Sequence, residues 1–130
     1  MIIAFRGSAN ARAWLTDFEV RYAKPAYADY GRVHRGFWES AGSVMGELLK
    51  WDQQSQPEVI ITGHSKGAAE ALICARRLAD AGRQIRAVVT FGGPRVGNGE
   101  WQRGYNATKI TGALPSAATL GDVTFRVVNQ

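Results

Sequence analysis

Cysteine is nearly absent from the 130 residues: Cys74 stands alone. No internal disulfide can form, which excludes a disulfide-stapled mini-domain. Cys74 falls on the apolar side of a helix-like stretch, so packing is its expected role. Histidine is scarce as well, with only His34 and His64. No apolar run approaches the roughly 18 residues a membrane-spanning helix needs. The first residues lack the basic region, long apolar run and cleavage site of a signal peptide. With no disulfide and no leader, a cytoplasmic compartment is the favoured expectation. Concentrated positive charge is missing too. Lys and Arg exceed Asp and Glu by 16 − 11 = 5, but the basic residues are scattered. Arg76-Arg77 is the only adjacent pair and reads as a solvated helix face, so nucleic acid is not an expected partner.

What is present suits one ordinary globular domain over residues 1–130, with 45% hydrophobic and 21% charged residues. Four short apolar runs have strand length: Ile2 to Phe5, Val59 to Thr62, Ala87 to Phe91 and Thr124 to Val128. They are nearly continuous rather than alternating, as expected of parallel strands buried on both faces. Between the first two, Phe37, Val44, Leu48 and Trp51 recur at helical spacing over Gly36 to Trp51. Between the next two, Ala68, Ala69, Leu72, Ala75, Leu78 and Ala79 form an apolar stripe over Lys66 to Ala81, stopped by Gly82. Strand–helix–strand–helix–strand is the βαβ pattern of a doubly wound α/β sheet. Arg103 to Gly121 reads as a long connection with a frayed helix at its start. Both ends look cut: the first run is abrupt for an opening strand, and nothing follows the last.

The chemistry gathers at Gly63-His64-Ser65-Lys66-Gly67. A parallel sheet places ligand sites at the carboxyl ends of its strands, and Ser65 falls at such an end. A sharp strand-to-helix turn projects a serine hydroxyl clear of the backbone, and glycines two residues either side let strand and helix approach closely. The following helix aims free N–H groups and its positive dipole end at the same point. Alone, Gly-x-Ser-x-Gly arises by chance in roughly one chain in ten. The apolar run directly before it and the helix directly after it are what single it out.

Four further stretches stand around this turn in a recognisable order. They are Ile3-Ala4-Phe5-Arg6-Gly7-Ser8, followed by Trp14 and Asp17; Val33-His34-Arg35-Gly36-Phe37; Thr90-Phe91-Gly92-Gly93-Pro94-Arg95-Val96-Gly97-Asn98; and Phe125-Arg126-Val127-Val128-Asn129. Together the five resemble the class 3 lipase family, the fungal-lipase-like branch of the α/β-hydrolases, over nearly the whole chain. The resemblance implies a parallel sheet with flanking helices, truncated at both ends, and Ser65 as catalytic nucleophile. It implies an oxyanion hole from the backbone N–H groups of Ser8, with its hydroxyl, and Lys66. A turn or helix-cap role for Ser8 before Ala9 is the competing reading. It further implies a lipid or small-ester substrate, no metal or organic cofactor, and a lid over residues 9–18 able to touch a lipid interface. The sequence leaves the oligomeric state open.

Two departures matter. Lys66 stands where the family more often has Leu, so its ammonium either lies beside the site or points to water. More seriously, the order Ser, Asp or Glu, His is expected after the nucleophile, and no histidine follows Ser65. His64 projects away from the hydroxyl, and His34 reads as structural. Asp80 and Asp122 are poorly placed as the acid, which the resemblance puts just beyond Gln130. Two functions follow: a serine ester hydrolase completed by further sequence, or a non-catalytic hydrolase-like domain that binds an acyl ligand or a partner.

Overall fold

The computed structural model describes residues 1–10, 22–23, 31–51, 57–112 and 117–128. The strands are β1 (Ile2–Phe5), β2 (Tyr22–Ala23), β3 (Val33–His34), β4 (Val59–His64), β5 (Ile85–Phe91) and β6 (Thr124–Val127). The helices are α1 (Arg35–Lys50), α2 (Lys66–Asp80), α3 (Gly99–Ala107) and α4 (Leu120–Val123). Strands β1, β4, β5 and β6 form one sheet in that spatial order, every neighbouring pair parallel. Strands β2 and β3 pair separately and antiparallel. The expected α/β architecture is therefore observed, and each predicted strand lies within two residues of its observed bounds.

The core is built on one face of the sheet. Val59, Ile61 and Val88 are buried there with Ile73 of α2, Phe37 of α1, Trp101 of α3 and Leu120 of α4. Helix α2 is flanked by neighbours and buried almost all round, far beyond the stripe its sequence suggests. Its many alanines explain how: small side chains let α1 and the sheet approach closely, while α3 is reached by the Arg76 side chain. Arg76 corrects the solvated-face reading. It is 5% exposed, and its guanidinium Nη1 donates to the Trp101 carbonyl at 3.4 Å. Arg77 instead lies over the Trp38 ring at 4.7 Å, a cation–π contact between α2 and α1.

Three further expectations shift. Helix α1 buries Phe37, Ala41 and Met45, an i, i+4, i+8 row, while Val44 and Trp51 face outward. The stretch from Arg103, read as a connection with a frayed helix at its start, begins inside a regular helix: α3 runs Gly99–Ala107, and the Asn98 side chain accepts the Trp101 N–H at 2.9 Å. A second short helix, α4, carries a reciprocal cap between Thr119 and Asp122. Finally, the continuous apolar strands are covered on one face only among the described residues. Ile2, Phe91, Phe125 and Val127 of the other face are 71%, 43%, 57% and 46% exposed.

Cys74 is fully buried, its thiol 3.4 Å from the Met45 sulfur, as its position in the sequence suggested. Burial pushes that thiol up to about 12, opposed weakly by Arg77. The Tyr105 hydroxyl is likewise raised by burial, although it lies 2.7 Å from the Thr124 hydroxyl.

Candidate active site

Strand β4 ends at His64 and α2 begins at Lys66, so Ser65 alone makes the turn. It does so at φ 56°, ψ −123°, the only non-glycine residue with positive φ among those described. That region is sparsely populated by L-residues and costs on the order of 1–3 kcal/mol. The surroundings hold it there. The Ser65 N–H donates to the Phe91 carbonyl at 2.9 Å, and its carbonyl accepts from the Ala68 N–H at 3.0 Å. The residue is 6% exposed, and its side chain does not cap α2, which leaves the hydroxyl out of the helix's own hydrogen bonding.

The flanking glycines are required by contact, not by torsion. A Cβ on Gly63 would lie 2.8 Å from the Ala68 nitrogen and closer still to the Gly67 carbonyl. One on Gly67 would lie 2.8 Å from the Phe5 carbonyl carbon, with the Phe5 oxygen nearer. Strand β4, helix α2 and the end of β1 thus touch backbone to backbone around Ser65. Gly93 belongs to the same junction, since its Cβ would fall 2.7 Å from the Ala68 methyl.

The turn after β1 closes on the same point. A Cβ on Gly7 would sit 2.7 Å from the His64 carbonyl oxygen, which sets Arg6-Gly7-Ser8 against the strand end carrying the serine. Ser8 is half-buried, and its hydroxyl accepts the Asn10 N–H at 3.3 Å, a local turn bond of the sort its competing reading anticipated. Residues 11–18 of the expected lid, with Trp14 and Asp17, lie outside the described residues, as do Asn129 and Gln130.

Neither histidine offers itself as a base. The His64 ring lies between two glycine turns, its Nδ1 3.2 Å from a Cβ position on Gly7 and its Nε2 3.8 Å from one on Gly92. His34 is buried, its ring 4.7 Å from that of Phe37, and its backbone N–H donates to the Val96 carbonyl at 2.9 Å. That second bond exposes what sequence reading missed. The Val33-His34 and Val96-Gly97-Asn98 stretches are one structural junction: Asn98 donates its N–H to Arg32, and its side-chain oxygen accepts the Arg32 N–H at 3.1 Å. Their signal in the sequence was an asparagine directly before a helix, the usual mark of a cap.

Asp122 caps α4 and precedes β6, at the end of the sheet away from Ser65. Asp80 closes α2, at the opposite end of the 15-residue helix from Lys66. The Lys66 side chain does not stand free beside the turn. Its ammonium is 2.6 Å from Glu70 Oε1 and 3.0 Å from Ser40 Oγ of α1.

The family model for lipase (class 3) matches residues 2–130. The lipase of Rhizomucor miehei is 34% identical over 105 residues, covering 74% of this chain and 29% of that protein. Secreted mono- and diacylglycerol lipase A of Penicillium cyclopium is 32% identical over 103 residues, covering 75% of this chain and 34% of that protein. A solved triacylglycerol lipase, described as having a serine-protease triad as its catalytic centre, superposes with a TM-score of 0.75 at 29% identity. That superposition covers 99% of this chain and 48% of the lipase. The chain thus spans about a third of the curated relatives' length and half of the solved one. These relatives overturn the cytoplasmic expectation, since the Penicillium protein is a secreted lipase. A missing leader says nothing about compartment in a chain that matches so small a part of its relatives.

Proposed function

The chain belongs to the class 3 lipase family, and from that we propose that it carries the nucleophile and oxyanion hole of a serine ester hydrolase acting on lipid esters. One observation carries the reading. Ser65 is held at positive φ between a parallel strand and a helix, with glycines in backbone contact on both sides. A structural turn gains nothing from a strained serine where glycine would sit without cost. A nucleophile gains projection of its hydroxyl from the turn.

On this reading, Ser65 Oγ attacks the ester carbonyl carbon as its proton passes to a base. The carbonyl oxygen becomes an oxyanion, stabilised by the backbone N–H groups of Ser8 and Lys66 and by the Ser8 hydroxyl. Collapse expels the alcohol, which takes up that proton and leaves an acyl-serine; water then releases the acid. Each fixed donor is worth about 10²–10³ in rate. Support for the acid's place comes from β6. Gly92 donates its N–H to the Val127 carbonyl at 2.8 Å and Ser65 donates to Phe91, so the chain leaving β6 emerges two strands' hydrogen bonds from the serine. Extracellular action is part of the proposal, by analogy with the secreted relatives.

The alternative is a domain that binds an acyl ligand without cleaving it. It is favoured by the placement of the two histidines: His34 is buried against Phe37, and His64 lies next to Ser65 in the chain, at the exposed end of β4. The test is to express the full reading frame containing this chain and treat it with a fluorophosphonate. Modification at Ser65, lost with turnover in Ser65→Ala, is expected. Folded but unmodified protein would favour the binding reading, and ester hydrolysis surviving in Ser65→Ala would refute the nucleophile.

A further inference from the structure

Lys66 is the first residue of α2, where the positive end of the helix dipole disfavours a cation. No acidic residue stands in that first turn. Left to itself, the ammonium would extend to water. It is held instead at 2.6 Å by Glu70, one turn further along, and at 3.0 Å by the Ser40 hydroxyl. Ser40 also donates to the same Glu70 oxygen. Glu70 is 6% exposed, buried between α1 and α2, and a carboxylate so placed persists only with a charged, hydrogen-bonded partner. The lysine side chain is 29% exposed. The three groups therefore form one closed cluster that ties the first turn of α2 to α1.

That first turn is where a fixed position matters most. Helix ends fray, and the first N–H groups of a helix lack partners within it. The Lys66 N–H follows directly on the strained Ser65. We infer that Ser40 and Glu70 are positioning residues. By anchoring the Lys66 side chain on α1, they hold its backbone N–H in line with the nucleophile. The inference rests on the proposed role of that N–H as an oxyanion donor. It also gives the lysine a purpose other than attracting charged substrate, because its charge is already engaged.

The experiment uses the full reading frame, a neutral water-soluble p-nitrophenyl ester, and the rate of fluorophosphonate labelling. Ser40→Ala removes the α1 anchor and leaves the Lys66–Glu70 pair, so the fold should survive. We expect kcat and the labelling rate to fall together by roughly 5–20-fold, a fraction of the cost of deleting a donor, with KM within twofold. Ser40→Thr, which keeps a hydroxyl, should restore both. Glu70→Gln, nearly isosteric, should show the same kcat loss; its thermal midpoint is measured alongside to separate misfolding from mispositioning. Unchanged kcat and labelling in a folded Ser40→Ala protein would overturn the inference, as would a loss confined to KM. Absence of Ser65 labelling in the unsubstituted protein would instead refute the nucleophile and take the inference with it.

Discussion

Replacing Gly63 by alanine should be among the most damaging single-methyl changes available to this chain. The new Cβ would meet the Ala68 nitrogen at 2.8 Å and the Gly67 carbonyl more closely, against ordinary carbon contacts of about 3.5–4.0 Å. The three nearest atoms are all backbone, so no side chain can rotate aside to relieve them. Relief requires β4 and α2 to separate, and α2 is packed by α1 and the sheet. Overpacking of a tight core costs about 1–3 kcal/mol, and a backbone-to-backbone clash belongs at or above the top of that range, so about 3 kcal/mol is expected. Two controls isolate the cause. Gly46→Ala in α1 adds a methyl with nothing within 4 Å and should stabilise by about 0.5–1 kcal/mol through helix propensity. Gly82→Ala also meets nothing, but at φ +79°, and should cost about 1 kcal/mol from torsion alone. Urea unfolding followed by tryptophan fluorescence measures all three. A Gly63→Ala loss below that of Gly82→Ala would refute the contact argument, since torsion would then outweigh the clash.

Ser65→Gly should raise stability by about 1 kcal/mol, because glycine accepts φ 56° without the strain, while abolishing fluorophosphonate labelling; a lower melting point would show that Ser65 is not strained. Cys74 makes alkaline stability pH-dependent. Its thiol rises from 9.0 to about 12 on folding, so the unfolded chain loses its proton first, and stability present below pH 9 declines as pH rises towards 12. That amounts to about 2 kcal/mol by pH 10.5, and Cys74→Ala should flatten this arm of the urea-midpoint profile; an unchanged slope would assign it elsewhere. The same thiol should resist Ellman's reagent at pH 8 until the protein is unfolded. Asn98→Ala removes an acceptor serving both Trp101 and Arg32 and should cost about 1–2 kcal/mol, whereas Asn98→Asp should keep most of it.

Much of this was legible in the chain. Continuous runs of β-branched and aromatic residues marked β1, β4, β5 and β6 because such side chains favour the extended backbone, although β1 and β6 prove to be sheet edges with exposed apolar residues. Gly82 marked the end of α2, and Gly63 and Gly67 marked a close approach. Less legible was everything set by which helix lies beside which. Phe37, Val44, Leu48 and Trp51 share a helical rhythm, yet α1 turns Phe37, Ala41 and Met45 inward, since an apolar stripe fixes amphipathicity and not the contact azimuth. Arg76 looked solvated beside Arg77 and is buried, because α3 closes over one side of α2 and not the other.

The sequence by itself determined the local chemistry of this protein: a serine between glycines, after a strand and before a helix, in an α/β chain. Those are rules of neighbouring residues, and a short stretch can carry them. Tertiary structure alone decided the rest. It showed that Gly63, Gly67, Gly7 and Gly93 serve one junction, that Ser65 is strained, and that the Lys66 ammonium is bound to Glu70 and Ser40. The decisive partners, Phe5 and Ala68 for the glycines, Phe91 for Ser65 and Ser40 for Lys66, come mostly from distant parts of the chain, and no local pattern encodes those distances.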